Sequence, residues 1–286
     1  MLGWLIVNGF LGSNKFNELY NYLQNSANEY GISLQIKSND DLVGELSSGF
    51  EKLPDFAIFW DKDVYLAKRL EESGVRLFNS ASAVEICDNK ILTALTLNDK
   101  VKTPKTIIAP KTFEGVNYSD KTFLKNATKE LGFPLIIKEA FGSFGHQVYL
   151  ANDYQSAEKI VDRLGHKDFL MQEFISSSYG KDVRVNVVGG KVVCAMLRYN
   201  ENDFRSNISS GGKMKKITLN SKQEELAVKV CSIIGLDFAG VDILFGENDQ
   251  PILCEVNSNP HFKSSLECTG VDMSKEIIKY IKGVLQ

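Results

Sequence analysis

The stretch DFAGVDILFGENDQPILCEVNSNP, residues 237–260, constrains this chain more than any other. Two apolar runs, Phe238–Phe245 and Pro251–Val256, flank the polar turn Gly246–Gln250, a pattern that predicts a hairpin. With the register centred between Asn248 and Asp249, Asp242 and Glu255 stand opposite each other. Opposed carboxylates repel, and an unpaired charge inside an apolar run is costly. The pair therefore calls for a cation. Asn257 shares the face of Glu255, because strand side chains repeat every second residue, and Cys254 is expected on the other face. Oxygen donors without His or Cys suit a hard cation such as Mg²⁺, which also takes oxygens from a substrate phosphate.

The 286 residues leave room for two or three packed units. A composition of 43% hydrophobic and 24% charged residues argues against wholesale disorder. A net charge of -3 and a pI of about 5.8 argue against a general nucleic-acid binder. The five cysteines lack a CxxC pair, which reads as reduced thiols in a cytoplasmic protein. The opening MLGWLIVNGF has no basic region before its short apolar run, so it is read as a first strand and not a signal peptide. No run approaches the roughly 20 apolar residues of a membrane helix.

Residues 1–87 alternate strand and helix. Strands are expected at Trp4–Val7, Ile32–Ile36, Phe56–Trp60 and Val75–Phe78, with helices from Asn14 to Tyr30 and from Val64 to Ser73. This is the rhythm of an open parallel sheet. Asn8-Gly9-Phe10-Leu11-Gly12 does not match GxGxxG, so the unit is not read as a dinucleotide domain. A helix is expected from Asp88 to Leu97, with Lys90 in its first turn. Residues 105–172 read as a small α+β unit. Its parts are a helix capped by Ser119, a strand Pro134–Ala140, a loop Phe141–Gly145, a strand Gln147–Leu150, a helix opened by an Asn152/Gln155 capping box, and a strand Phe169–Ile175. Further on, Asp182–Val188 and Lys191–Arg198 flank a Gly189-Gly190 turn. A Ser221/Glu224 capping box opens another helix, and a last helix runs from Met273 to Val284.

Several segments could carry chemistry. Lys138 sits in the apolar strand PLIIKEA and needs an anion or a wet cleft. The loop FGSFG after it lets backbone N–H groups approach a phosphate at Gly142, Ser143 and Gly145; an ordinary hairpin turn has the same look. MQEFI, with Glu173 and Phe174, lies where one unit passes to the next and could read a base edge through its backbone. Its plainer reading is an edge strand with Gln172 and Glu173 exposed. Asp182, Arg184 and Asn186 share one face of an alternating strand, lining a cleft or simply half-solvated. Arg205, Ser206 and Asn207 lie in a polar stretch ahead of Gly211-Gly212, with arginine the natural fork for a phosphate or carboxylate. His146 and His261 are read as local hydrogen-bonding residues, and no nucleophilic triad is apparent.

Taken together, these segments resemble the ATP-grasp superfamily, specifically the RimK-type amino-acid (alpha-L-glutamate) ligases. The resemblance rests on QEFI, GKDVRVNVVGGKVVCAMLR, DFRSNISSGG, LDFAGVDILF, EVNSNP and TGVD, and less tightly on the upstream half. It implies an α/β and α+β ATP-grasp fold with an N-terminal open parallel-sheet domain at 1–87. A central subdomain at 88–172 would carry the glycine loop, and a C-terminal subdomain at 173–286 the metal site. Lys90 and Lys138 would hold ATP phosphates under the 142–145 loop. Glu173 and Phe174 would meet the adenine and Asp182 the ribose. Arg205, Ser206 and Asn207 would lie on the triphosphate side, with Arg205 and Lys138 catalytic. Asp242, Glu255 and Asn257 would hold Mg²⁺ or Mn²⁺, two ions in all. The implied activity is ATP-dependent amide formation through an acyl phosphate, joining an amino acid such as glutamate to a carboxylate acceptor. That acceptor could be a peptide, a protein tail or a coenzyme. The resemblance involves no nucleic acid and no membrane, and it is compatible with a homo-oligomer. Alternatives are a dipeptide or D-alanine-type ligase, or a nucleotide-sensing module without catalysis. The chain departs from the family pattern at His261-Phe262-Lys263 and at Trp60-Asp61-Lys62-Asp63.

Overall fold

The structure, a computed structural model, describes residues 1–46, 50, 52–208 and 211–286. Ser209 and Ser210 of the DFRSNISSGG segment lie outside the described residues.

The first sheet is wholly parallel. Its strands are β1 (Leu2–Val7), β2 (Ser33–Ser38), β3 (Phe56–Phe59) and β4 (Arg76–Phe78), in the order β2-β1-β3-β4. Helix α1 (Asn14–Glu29) covers one face. Helices α2 (Val64–Glu72) and α3 (Ala81–Asp88) cover the other, where Phe59, Leu66 and Val84 meet. Both faces are buried, as the unbroken apolar runs of β1 and β3 require.

Helix α4 (Lys90–Leu97) leads into a second, antiparallel sheet. This sheet comprises β5 (Thr106–Ile108), β6 (Leu135–Glu139), β7 (Val148–Ala151) and β8 (Phe169–Glu173), in the order β5-β8-β6-β7. Its core is closed by α5 (Thr122–Leu131) and α6 (Tyr154–Leu164). The third sheet, also antiparallel, runs β11 (Lys213–Lys216), β10 (Lys191–Tyr199), β9 (Lys181–Val188), β12 (Phe238–Phe245) and β13 (Pro251–Asn257). Its valine-rich face packs on α7 (Ser221–Ile234). The chain ends with α8 (Lys263–Thr269) and α9 (Met273–Leu285).

Helix α9 returns to the first sheet, where Ile277 and Ile281 share a core with Leu19 and Leu23 of α1. Asn79 fastens the first sheet to the third. Its buried Nδ2 donates to the carbonyls of Phe238 and Ser258, at 2.9 and 2.8 Å, and its Oδ1 accepts from Asp237 N at 2.7 Å.

Several helix starts differ from expectation. The helix expected from Asp88 to Leu97 is two helices broken at Asn89, whose Oδ1 accepts from Ile91 N and Leu92 N. The capping boxes fall one residue from where they were read, at Asp153/Ser156 and Asn220/Gln223. In both places two overlapping frames of polar residues three apart satisfy the same rule. Helix α1 has Ser13 as its N-cap, with no side-chain bond, and α5 starts after Lys121, not Ser119. Gln172 is not exposed on an edge. It is buried on the interior strand β8, and its Nε2 donates to Thr106 Oγ1 at 2.9 Å.

Candidate active site

The site is built on the antiparallel pair β12–β13, where Asp242 pairs with Glu255 and Gly240 with Asn257. The register slips between Asp242 and Ile243, which pairs with Leu253, so Cys254 is the extra residue of a β-bulge. A bulge re-aims the side chains beside it. Cys254, expected on the far face, lines the same cleft as Glu255. Burial pushes its thiol up to about 11, so it is no nucleophile at neutral pH.

Asp242 is buried and gripped by two arginines. Arg184 of β9 donates from Nε to Oδ1 and from Nη2 to Oδ2, the latter at 2.8 Å. Arg198 of β10 adds a contact to Oδ2 at 2.9 Å and a forked pair to Asp182, at 2.7 and 2.6 Å. The four side chains form a neutral buried network. Burial alone would raise the carboxyl pKa of Asp242; the two guanidiniums override it and hold it below the usual range. Asp182, expected at a ribose, thus has both oxygens taken by Arg198.

Glu255 is different. Its side chain is 34% exposed, and its nearest cation is Lys90 Nζ at 3.7 Å. Lys90 also donates to the carbonyl of Gly142 at 3.0 Å. Burial lowers the Lys90 pKa, with Glu255 opposing and Lys138 reinforcing the shift. Lys138, only 9% exposed on β6, lines the cleft and enters no ion pair among the described residues.

The glycine loop connects both walls. Lys62 Nζ bridges Asp88 at 2.5 Å and Ser143 Oγ at 3.1 Å. Arg205 donates to the carbonyl of Gly145 at 3.1 Å while its fork holds Asp203. Gly145 has φ +76, and a Cβ there would meet Asn207 Oδ1 at 2.9 Å. Glycine takes this φ without strain and leaves the Arg205–Asn207 segment room beside the loop.

Two adjoining hollows result. One, of about 110 Å³, is lined by Lys90, Lys138, Gly145, Glu173, Phe174, Asp182, Arg205, Ser206, Asn207, Asp242 and Glu255. The other, of about 660 Å³, is lined by Ser143, Asp242, Glu255 and Asn257 together with His261 and, from the first sheet's end of the chain, Asn8, Lys15 and Asp61. Every residue expected in the site except Gly142 lines one hollow or the other, and Gly142 is held at the rim by Lys90. Asn8, Lys15 and Asp61 went unassigned in the sequence reading, and Arg184 was read only as sharing with Asp182 a face that could line a cleft. For Arg184, its alternation with Asp182 on one strand was the available signal.

The oxygen donors fit a hard cation. Asp242 Oδ2 has both lone pairs engaged, but Oδ1 keeps one, and Glu255 and Asn257 open onto the same hollow. Among the described residues, no group of three His, Cys, Asp or Glu stands ready to hold a metal; the oxygen donors that open onto this hollow together are Asp242, Glu255 and the Asn257 amide. The lysines suit a phosphate chain equally well, because Lys138 is a buried cation with no anionic partner of its own.

A parallel sheet followed by two antiparallel sheets, with a lysine-lined cleft beside the carboxylate hairpin, is the architecture of an ATP-grasp fold. The profile of the RimK-like ATP-grasp domain matches residues 87–281, and the chain belongs to that family. The Mycoplasma genitalium protein MG012 is 32% identical over 274 residues, spanning 94% of this chain and 95% of its own. Human N-acetylaspartylglutamate synthase A is 30% identical over 236 residues, covering 82% of this chain and 59% of the relative. The crystal structure of a RimK domain ATP-grasp protein from Sphaerobacter thermophilus superposes with a TM-score of 0.76, at 18% identity, over 98% of this chain and 99% of its own. Among the described residues, no helix is long and apolar enough to cross a membrane.

Proposed function

We propose that the chain joins an amino acid, glutamate or one like it, to a carboxylate acceptor through an amide bond, at the expense of ATP. The observation that carries this reading is the adjacency of a cationic cleft, where Lys138 has no ion pair among the described residues and Lys90 is held only loosely by Glu255, to a carboxylate–amide set that opens into a substrate-sized hollow. N-acetylaspartylglutamate synthase A among its relatives supports an amino acid as one substrate.

In this reading, an acceptor carboxylate oxygen attacks the γ-phosphorus of ATP. The bond to the bridging oxygen breaks, and ADP leaves. The amine then attacks the carbonyl carbon of the acyl phosphate, the C–O bond breaks, phosphate departs with the electron pair, and the nitrogen loses a proton. Lys138, Lys90 and Arg205 stabilise charge on the transferring oxygens. Ser143, Ser206, Asn207 and the 142–145 backbone position the phosphates, and the backbone of Glu173 and Phe174 faces the base. Asp182 contributes through Arg198, which it orients. Asp242, Glu255 and Asn257 would hold one or two Mg²⁺ or Mn²⁺ ions, which supply electrostatic stabilisation when bound. No protein nucleophile is needed.

The same reading divides the chain into units at 1–87, 88–172 and 173–286. It sets the protein in the cytoplasm, in keeping with five free cysteines. The test is ADP release over a panel of amino acids with peptide, dicarboxylate and amino-acid acceptors, followed by mass spectrometry of the product. A product heavier than the acceptor by one dehydrated amino acid is expected. ATP turnover that ignores every amino acid would overturn the reading.

A further inference from the structure

The larger hollow holds a charged pair that the nucleotide chemistry leaves unused. Asp61 follows β3, at the carboxyl end of the parallel sheet, where open α/β sheets expose their ligand crevice. It is 4% exposed and lines the hollow. Asn8 Nδ2 donates to it at 3.2 Å, and the backbone N–H of Lys62 does so at 2.7 Å. These bonds fix the carboxylate without cancelling its charge: Asp61 enters no ion pair among the described residues. A buried carboxylate without a counter-cation is costly.

Lys15, in the first turn of α1, lines the same hollow from its exposed rim. It too enters no ion pair among the described residues. Its Nζ stands 4.4 Å from the ring centroid of Phe144, in the glycine loop. The hollow thus offers a fixed anion at its wall and a free cation at its mouth, which do not neutralise each other. Lys62 and Lys263 also line it, but Asp88 and Glu18 occupy them.

We propose that Asp61 and Lys15 form the subsite for the free amino acid, with Asp61 taking its ammonium and Lys15 its α-carboxylate. A zwitterion supplies both missing partners at once. This rests on the ligase reading and adds which of the two substrates sits against the first sheet. Lys15 touches the loop through Phe144, so the bound carboxylate sits next to the element that covers the phosphates.

The test is calorimetric binding of free L-amino acids, their N-acetyl derivatives and their amides to the full chain saturated with magnesium and a non-hydrolysable ATP analogue. At least one free amino acid is expected to bind. N-acetylation and Asp61→Asn should each weaken it about tenfold or more, and the two losses should not add, since both remove the same ion pair. Amidation and Lys15→Met should behave likewise. ATP-analogue affinity should stay at the wild-type value in both variants, which reports that they are folded. Wild-type amino-acid affinity in Asp61→Asn, equal binding of N-acetyl and free forms, or no binding of any free amino acid would each overturn the subsite. Amino-acid-dependent ADP release by the wild-type chain reports on the ligase reading separately. That release can persist while the subsite assignment fails.

Discussion

Lys90 stands 3.7 Å from Glu255, closing the gap between helix α4 and the exposed end of the carboxylate hairpin. The contact is loose for an ion pair, and Glu255 keeps a third of its surface open. Lys90 is thus shared between Glu255 and the Gly142 carbonyl.

Glu255→Ala should therefore abolish chemistry and spare the fold. Its carboxylate is not gripped by a buried guanidinium, so little packing is lost. Turnover should fall on the order of 100-fold or more, the scale of removing one preorganised electrostatic contact at a transition state. Amino-acid-dependent ADP release alongside a thermal melt checks both halves. Wild-type turnover in this variant would remove Glu255 from the site.

Lys138→Met should separate binding from stability. The buried ammonium has no anionic partner among the described residues, so an apolar side chain of similar length relieves a desolvation cost. A charge-assisted contact to phosphate is worth about 1.5–3 kcal/mol, so ATP affinity should drop roughly 10- to 100-fold. The melting midpoint should hold or rise. Calorimetry and a thermal melt, read together, test the pairing of these opposite effects.

Much of this site was readable because strand alternation is local. The opposed register of Asp242 and Glu255 followed from counting back from a turn, and Asn257 from the two-residue period. Cys254 was misplaced because a bulge is an extra residue relative to a partner strand, and alternation within one strand cannot detect it. The parallel sheet was legible as a rhythm of apolar runs. The return of α9 to α1 was not, because it is a contact between amphipathic faces far apart in sequence. Asp61 stood out only as part of the Trp60-Asp61-Lys62-Asp63 departure from the family pattern, and nothing in the sequence singled out Lys15. Only the folded chain shows that one is buried, the other is at the rim, and neither enters an ion pair among the described residues. His261 was expected to hydrogen-bond locally; its imidazole meets the backbone of Lys15 and of His261 itself, while its Nε2 is buried with no partner among the described residues.

Asp242→Asn should be a stability variant as well as an inactive one. Removing its charge leaves the Arg184 guanidinium with no ion-pair partner among the described residues and Arg198 with Asp182 alone. Breaking one member of a buried ion pair costs about 3–5 kcal/mol. Denaturant unfolding should show a midpoint well below wild type, whereas Glu255→Ala stays close to it. Equal midpoints for the two would mean that the arginine network contributes nothing to the fold.

The burial of His261 sets a pH dependence whose sign can be worked out. Desolvation, then the nearby Lys15 charge, lowers its pKa from 6.5 to about 4. Its ring packs edge-on to Phe16, 6.2 Å between centroids. Between pH 6.5 and 4 the unfolded chain takes up a proton that the folded chain refuses. This contribution to stability is therefore complete above about pH 6.5 and declines as the pH falls toward 4. His261→Phe keeps an aromatic ring against Phe16 and removes the titration. The wild-type melting midpoint, relative to that variant, should fall steadily from pH 7 to pH 4. Measuring both proteins at matched ionic strength cancels the titration of the other groups, leaving a difference that belongs to this one ring. A difference that stays flat across that range would place the His261 imidazole in contact with water.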